Sequence, residues 1–133
     1  MLGEFITLCK YLDSDGYLVS LEPGKDIPIS IKRSFYISGV RKNCTRGNHA
    51  AMNASFIFLC ISGSCRIVLS DGKSTERYIL NKGCEALYVK EKTWILADNF
   101  SEDDSVLLVF SDTTYDECLY EYDYDKYLNR KEK

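Results

Sequence analysis

A chain of 133 residues with 45% hydrophobic and 28% charged side chains can bury one sizeable core but is short for two ordinary domains, so residues 1–133 are expected to form a single domain. The formal net charge of −3 supplies no basic field for a phosphate backbone, which argues against nucleic acid as a partner. No apolar run reaches the roughly 18 residues of a spanning helix, and the N-terminal MLGEFITLCK lacks a basic start and a small-residue cleavage site; a cytoplasmic protein without membrane contact is expected.

Taken in chain order, short runs rich in β-branched and aromatic residues recur: FITLC, YLVSL, SIKRSFYIS, SFIFLCIS, SCRIVLS, RYIL, EALYV, TWILA and DSVLLVF. Turn chemistry separates them, as in DSDG (13–16), PGKD (23–26), SDGK (70–73) and NKG (81–83). The pattern predicts an all-β sandwich or barrel. In SIKRSFYIS, period-two alternation sets Ile31, Arg33, Phe35 and Ile37 on one face and Lys32, Ser34 and Tyr36 on the other. Ser55 to Ile61 is almost unbroken apolar, the mark of a strand covered on both faces. From Tyr115 onward, tyrosines alternate with acids, predicting a short helix or irregular segment laid on the barrel with its rings inward. The terminal NRKEK is expected to fray. Six cysteines without a CxxC pair read as reduced, buried thiols.

The chemistry-bearing candidates are few. His49 is the only histidine; it is either a general acid or base or a histidine hydrogen-bonded within the wall. One imidazole cannot build a zinc or other transition-metal centre, so no metal and no cofactor are expected. Arg33, facing apolar neighbours, calls for an anion, either a ligand phosphate or a buried carboxylate. Arg46 lies three residues before His49 and is positioned to hold a ligand beside it. Asn48 is a further candidate for substrate binding. Trp94 is either a stacking platform for a planar base at the barrel mouth or a core residue. No glycine-rich phosphate loop or GxSxG elbow occurs.

The segments IPISIKRSFYI (27–37), TRGNHA (45–50), CISGSCRIVLSDGK (60–73), LYVKEKTW (87–94), NFSEDDSVLLV (99–109) and TYDECLYEYDYDKYL (114–128) together resemble the nucleotide-sugar 3,4-ketoisomerases, metal-free cupins of the WxcM-like kind. The resemblance implies a cupin-type double-stranded β-helix, or jelly-roll barrel. It implies action on dTDP-4-keto-6-deoxyglucose, in pathways to 3-amino-3,6-dideoxy sugars such as those of lipopolysaccharide O-antigens. It also implies a homodimer with exchanged N-terminal strands. His49 and Tyr36 would handle protons and Arg33 and Arg46, which match family positions, would anchor the substrate; Asn48 and Trp94 remain substrate-binding candidates beside them. The chain departs from the family where H-A-H is usual, reading His49-Ala50-Ala51, and carries Ile95 where relatives often have His or Arg. Three readings stay open: an isomerase that works with His49 and Tyr36, an isomerase or epimerase for another nucleotide sugar, and a non-catalytic sugar-nucleotide binder.

Overall fold

The structure, a computed structural model, describes residues 1–131. Two five-stranded sheets, antiparallel throughout, make the expected all-β jelly-roll arrangement. The first runs in the order β1 (Gly3–Thr7), β9 (Glu85–Val89), β6 (Phe56–Ser62), β11 (Val106–Ser111) and β4 (Arg33–Ile37). The second runs β12 (Tyr120–Glu121), β5 (Arg46–Ala51), β10 (Trp94–Asp98), β7 (Cys65–Ser70) and β8 (Thr75–Leu80). A separate hairpin joins β2 (Lys10–Asp13) to β3 (Gly16–Val19), and one helix, α1 (Tyr124–Lys131), follows β12.

The unbroken apolar run of β6 has a direct explanation. Phe56, Phe58 and Cys60 enter the core between the sheets, with Ile67, Leu69, Leu107 and Val109. Ile57 and Leu59 point the other way, into a second cluster closed by Leu8, Ile27 and Ile29. A strand buried on both faces has no polar side to show.

Two expectations are modified. The strand foreseen over 30–38 is confined to Arg33–Ile37, and Ile31, expected on the face of Phe35 and Ile37, packs instead with the outer cluster while those two pack against the core between the sheets. All six cysteines are free, yet only Cys60 and Cys65 are buried, while Cys9 and Cys44 are exposed. At the C-terminus, the expected tail is β12 and α1, with Asn129, Arg130 and Lys131 helical; residues 132 and 133 of the foreseen frayed end lie outside the described residues. Tyr127 pins the helix: it is fully buried, and its hydroxyl donates to the Lys92 carbonyl at 2.7 Å.

Candidate active site

The site is built on β5, a strand that is absent from the runs foreseen in the sequence. Its register against β10 contains an irregularity: Ala97 faces Arg46, Leu96 faces Gly47, Ile95 faces His49 and Trp94 faces Ala50, which leaves Asn48 as an extra residue. This is a β-bulge. In an unbroken strand, residues three apart point to opposite faces. The inserted Asn48 resets the alternation, so Arg46 and His49 both lie on the inner side with Ala97 and Ile95.

The backbone chemistry fits that task. Gly47 has φ +85° and Asn48 φ +64°, the left-handed region favoured by glycine and tolerated by asparagine. A Cβ on Gly47 would also come within 3.1 Å of the Ile95 carbonyl oxygen. The Asn48 Oδ1 accepts a hydrogen bond from Trp94 Nε1 at 3.1 Å. Trp94 is only 7% exposed and packs with Ala50, Met52 and Tyr127.

Asn48 and Trp94 therefore need correction as substrate-binding candidates. Both lie on the far side of the sheet from the cavity, because Trp94 alternates with Ile95 and faces Ala50. They hold the bulge, and the Trp94 ring is not among the side chains lining the cavity.

His49, Arg33 and Arg46 line one cavity of about 250 Å³. Its inner wall is hydrocarbon from Phe56, Phe58, Ile95, Ala97 and Leu107. Arg33 does not meet the buried carboxylate considered above. The two ion pairs among the described residues are Arg66–Asp98 and Arg130–Glu121. Its guanidinium instead stacks over Phe35, 4.2 Å from the ring centroid, and lies 4.9 Å from that of Tyr115. Its Nη1 donates to the Tyr120 hydroxyl at 2.9 Å. A cation held by aromatic faces and one phenol keeps donors for an anion.

The imidazole sits under two tyrosines. Tyr120 and Tyr122 approach it edge-on, with ring centroids at 4.8 and 5.6 Å. Burial holds His49 below the ordinary imidazole value of 6.5, with a backbone hydrogen bond opposing it, so the site favours the neutral ring. Its Nδ1 is buried and has no hydrogen-bond partner among the described residues, a cost carried by the fold at this position.

Tyr36 needs correction too. It pairs across β4 and β11 with Leu108, which packs against the outer cluster, so its ring belongs to the outer face. The residue is 70% exposed and reaches only the rim of the cavity. Tyr120 and Tyr122 take the places beside the imidazole instead. The sequence does hold a trace of this: tyrosines at 120 and 122 share a face at strand spacing, and β12 pairs Tyr120 with Ala51.

Comparison with known proteins agrees with this geometry. The family described as FdtA: WxcM-like, C-terminal matches residues 2–132. The chain belongs to this family. A TDP-4-oxo-6-deoxy-alpha-D-glucose-3,4-oxoisomerase from Aneurinibacillus thermoaerophilus is 36% identical over 127 residues, covering 96% of this chain and 91% of its own. A 3,4-ketoisomerase from Helicobacter canadensis superposes with a TM-score of 0.93 at 32% identity, over 100% of this chain and 99% of its own. So does a histidine-to-asparagine variant of the 3,4-ketoisomerase QdtA from Thermoanaerobacterium thermosaccharolyticum in complex with TDP-4-keto-6-deoxyglucose, with a TM-score of 0.93, 31% identity, and coverage of 98% and 94%. Against this FdtA-family background, Ala51 and Ile95 line the ground around His49 with hydrocarbon.

Two measurements check the site. Asn48→Ala should cost about 1–3 kcal/mol in chemical denaturation, from left-handed strain and the orphaned Trp94 N–H. Asn48→Gly, which accepts the backbone, should cost less, and equal losses would remove the bulge from the account. Because His49 is the sole histidine, its NMR titration is unambiguous, and its midpoint should fall below 6.5. A depressed imidazole also destabilises the fold on acidification: its contribution is complete above the unfolded value near 6.5 and is lost as pH falls from there to the folded value. A midpoint at or above 6.5 would contradict the burial argument.

Proposed function

We propose that the chain is a sugar 3,4-ketoisomerase that converts dTDP-4-keto-6-deoxyglucose to a dTDP-3-keto-6-deoxyhexose without a metal. The observation that carries this reading is the imidazole of His49 set in a small cavity with the guanidinium of Arg33, which has no carboxylate partner among the described residues. A base is needed to take the proton from C3, and polar donors are needed for the charge that develops on oxygen. His49 is the base; the same nitrogen returns the proton at C4. No group of three or more His, Cys, Asp or Glu converges on a metal position among the described residues, and the cavity offers a single imidazole as donor.

Size divides the ligand. A cavity of about 250 Å³ is below the roughly 300–1,000 Å³ of sites that enclose drug-sized molecules. The keto sugar enters it, and the nucleotide stays outside. Arg46 lines both the cavity and an adjoining groove bounded by Tyr36, Arg41 and Cys44. Arg33 and Arg46 hold the diphosphate and thymidine follows the groove, a remote anchor that orients the sugar.

The hairpin of β2 and β3 supports the homodimer. Its two strands pair only with each other, and Tyr11, Leu12, Tyr17 and Leu18 are 55 to 72% exposed. An isolated two-stranded hairpin with large apolar residues in water is marginal; a second copy covering it through exchanged N-terminal strands resolves both problems. No helix among the described residues is long and apolar enough to cross a membrane. The same reading puts the protein in the cytoplasm, in a route to 3-amino-3,6-dideoxy sugars of the O-antigen type.

A second reading rests on Ala51 and Ile95. With hydrocarbon on either side of the imidazole, the chain is a sugar-nucleotide binder or acts on a related nucleotide sugar. Incubation with dTDP-4-keto-6-deoxyglucose in D₂O decides between them. The isomerase should give the 3-keto product with deuterium at C4, since an imidazolium exchanges its proton with solvent. His49→Asn should lower turnover by about 10²–10⁴-fold with dTDP affinity unchanged. Saturable dTDP binding without product or exchange would leave the binder. For the assembly, light scattering should find a dimer, and Leu12→Asp with Leu18→Asp should convert it to monomer; a monomeric wild type would refute the exchange.

A further inference from the structure

Moving a ketone from C4 to C3 requires two proton movements. One is carbon-bound: the C3–H bond breaks, its electron pair forms C3=C4, and C4 later gains a proton. The other is oxygen-bound: as the C4 carbonyl π pair moves onto O4, that oxygen takes a proton, and O3 gives one up when the C3 carbonyl forms. One imidazole serves the first. We infer that the Tyr120 hydroxyl serves the second, giving its proton to O4 and receiving one from O3. The inference rests on the isomerase reading and names a group that reading lacks.

The arrangement around Tyr120 suits this work. Its oxygen accepts from Arg33 Nη1 at 2.9 Å, so its own hydrogen is free to point elsewhere. Its ring centroid is 4.8 Å from that of His49, and its pairing with Ala51 places it on the inner side of β5. Ile95, Ala97, Phe56, Phe58 and Leu107, which complete the wall, carry no exchangeable proton. The Cys118 thiol also lies beside the hydroxyl, but sulfur is a weak acceptor that a sugar oxygen displaces. Burial and Cys118 raise the phenol above its ordinary value while Arg33 opposes them, so it enters the cycle protonated. Arg33 steadies the charge that appears on the phenol oxygen between giving and receiving. The step balances without oxidant, reductant or co-reactant.

Tyr36 is carried on the outer face, and the Tyr115 ring is engaged beneath Arg33. Tyr122 is the nearest rival, but it is 64% exposed and has no contact with a guanidinium among the described residues. It serves as the control.

The test compares wild type, Tyr120→Phe and Tyr122→Phe in turnover of dTDP-4-keto-6-deoxyglucose and in dTDP affinity. Tyr120→Phe should lower kcat by about 100-fold with KM and dTDP affinity little changed, and Tyr122→Phe, which also removes a hydroxyl beside the imidazole, should lower it far less than Tyr120→Phe does. Fluorotyrosine at position 120, a near-isosteric and more acidic phenol, should move the alkaline limb of kcat to lower pH; it keeps the test available if Tyr120→Phe fails to fold. Wild-type turnover that survives Tyr120→Phe overturns the inference alone. So does a loss confined to KM and dTDP affinity, which would make Tyr120 a support for Arg33, and so does an unmoved alkaline limb. A wild type that binds dTDP without turnover overturns the isomerase reading itself and the inference with it.

Discussion

The site depends on one extra residue in a strand. Arg46 and His49 are separated by three positions, and a regular β5 would send one into the cavity and the other to the outside. Asn48, unpaired between Gly47 and His49, brings both inside. The left-handed backbone at Gly47 and Asn48 is locally unfavourable for most side chains. Its compensation comes from the opposite face of the sheet, where Trp94 donates to Asn48 and is itself wedged against Tyr124 and Tyr127 of α1. The helix at the end of the chain thus acts on the cavity through the sheet, by holding the residue that holds the bulge.

The second constraint is electrostatic. The chain carries net negative charge, but the side chains lining the cavity include two arginines and no carboxylate. The tail acid next to the cavity-lining tyrosines is directed away from it: Glu121 alternates outward from Tyr120 and Tyr122 and pairs with Arg130 at 3.2 Å. An anionic ligand therefore finds a locally positive mouth on an acidic protein. The deeper wall is apolar, and there the same low polarity that keeps His49 uncharged strengthens any hydrogen bond made to a sugar oxygen.

Much of the barrel can be read from residue order, and the reasons are physical. β6, β7, β9 and β11 obey period two or are apolar throughout because packing decides both faces, as at Ile57 and Phe58. β5 escapes that reading for the reason that makes it functional: Arg46, Gly47 and Asn48 are polar or small, and the bulge breaks the alternation by which strands are recognised. His49, Arg33 and Arg46 stand out as residue types in an apolar setting, without need of coordinates. Tyr120 does not, since its meeting with Arg33 joins positions 87 apart in the chain and exists only once the tail has folded back along β5. Trp94 shows the converse. A lone tryptophan suggests a ligand platform, yet strand alternation at Ile95 puts it on the other face.

Ala51 and Ile95, both apolar and on the face of the sheet that carries His49, bear on what a single imidazole must do. Hydrocarbon beside His49 favours its neutral form, which is the form that can accept a proton from carbon. It also makes the imidazolium costly, so that it readily gives a proton up, to solvent in exchange or to C4, the adjacent carbon on the same sugar. A second imidazole is dispensable only if the oxygen-bound proton has another carrier. The phenol of Tyr120, bonded to Arg33 and facing the same cavity, answers that need, with the guanidinium beside it to balance the charge on its oxygen between giving and receiving. On the proposed assignment, Ala51, Ile95 and the tyrosine-rich tail belong to one arrangement, in which carbon-bound and oxygen-bound proton transfer would be divided between a desolvated imidazole and a guanidinium-held phenol.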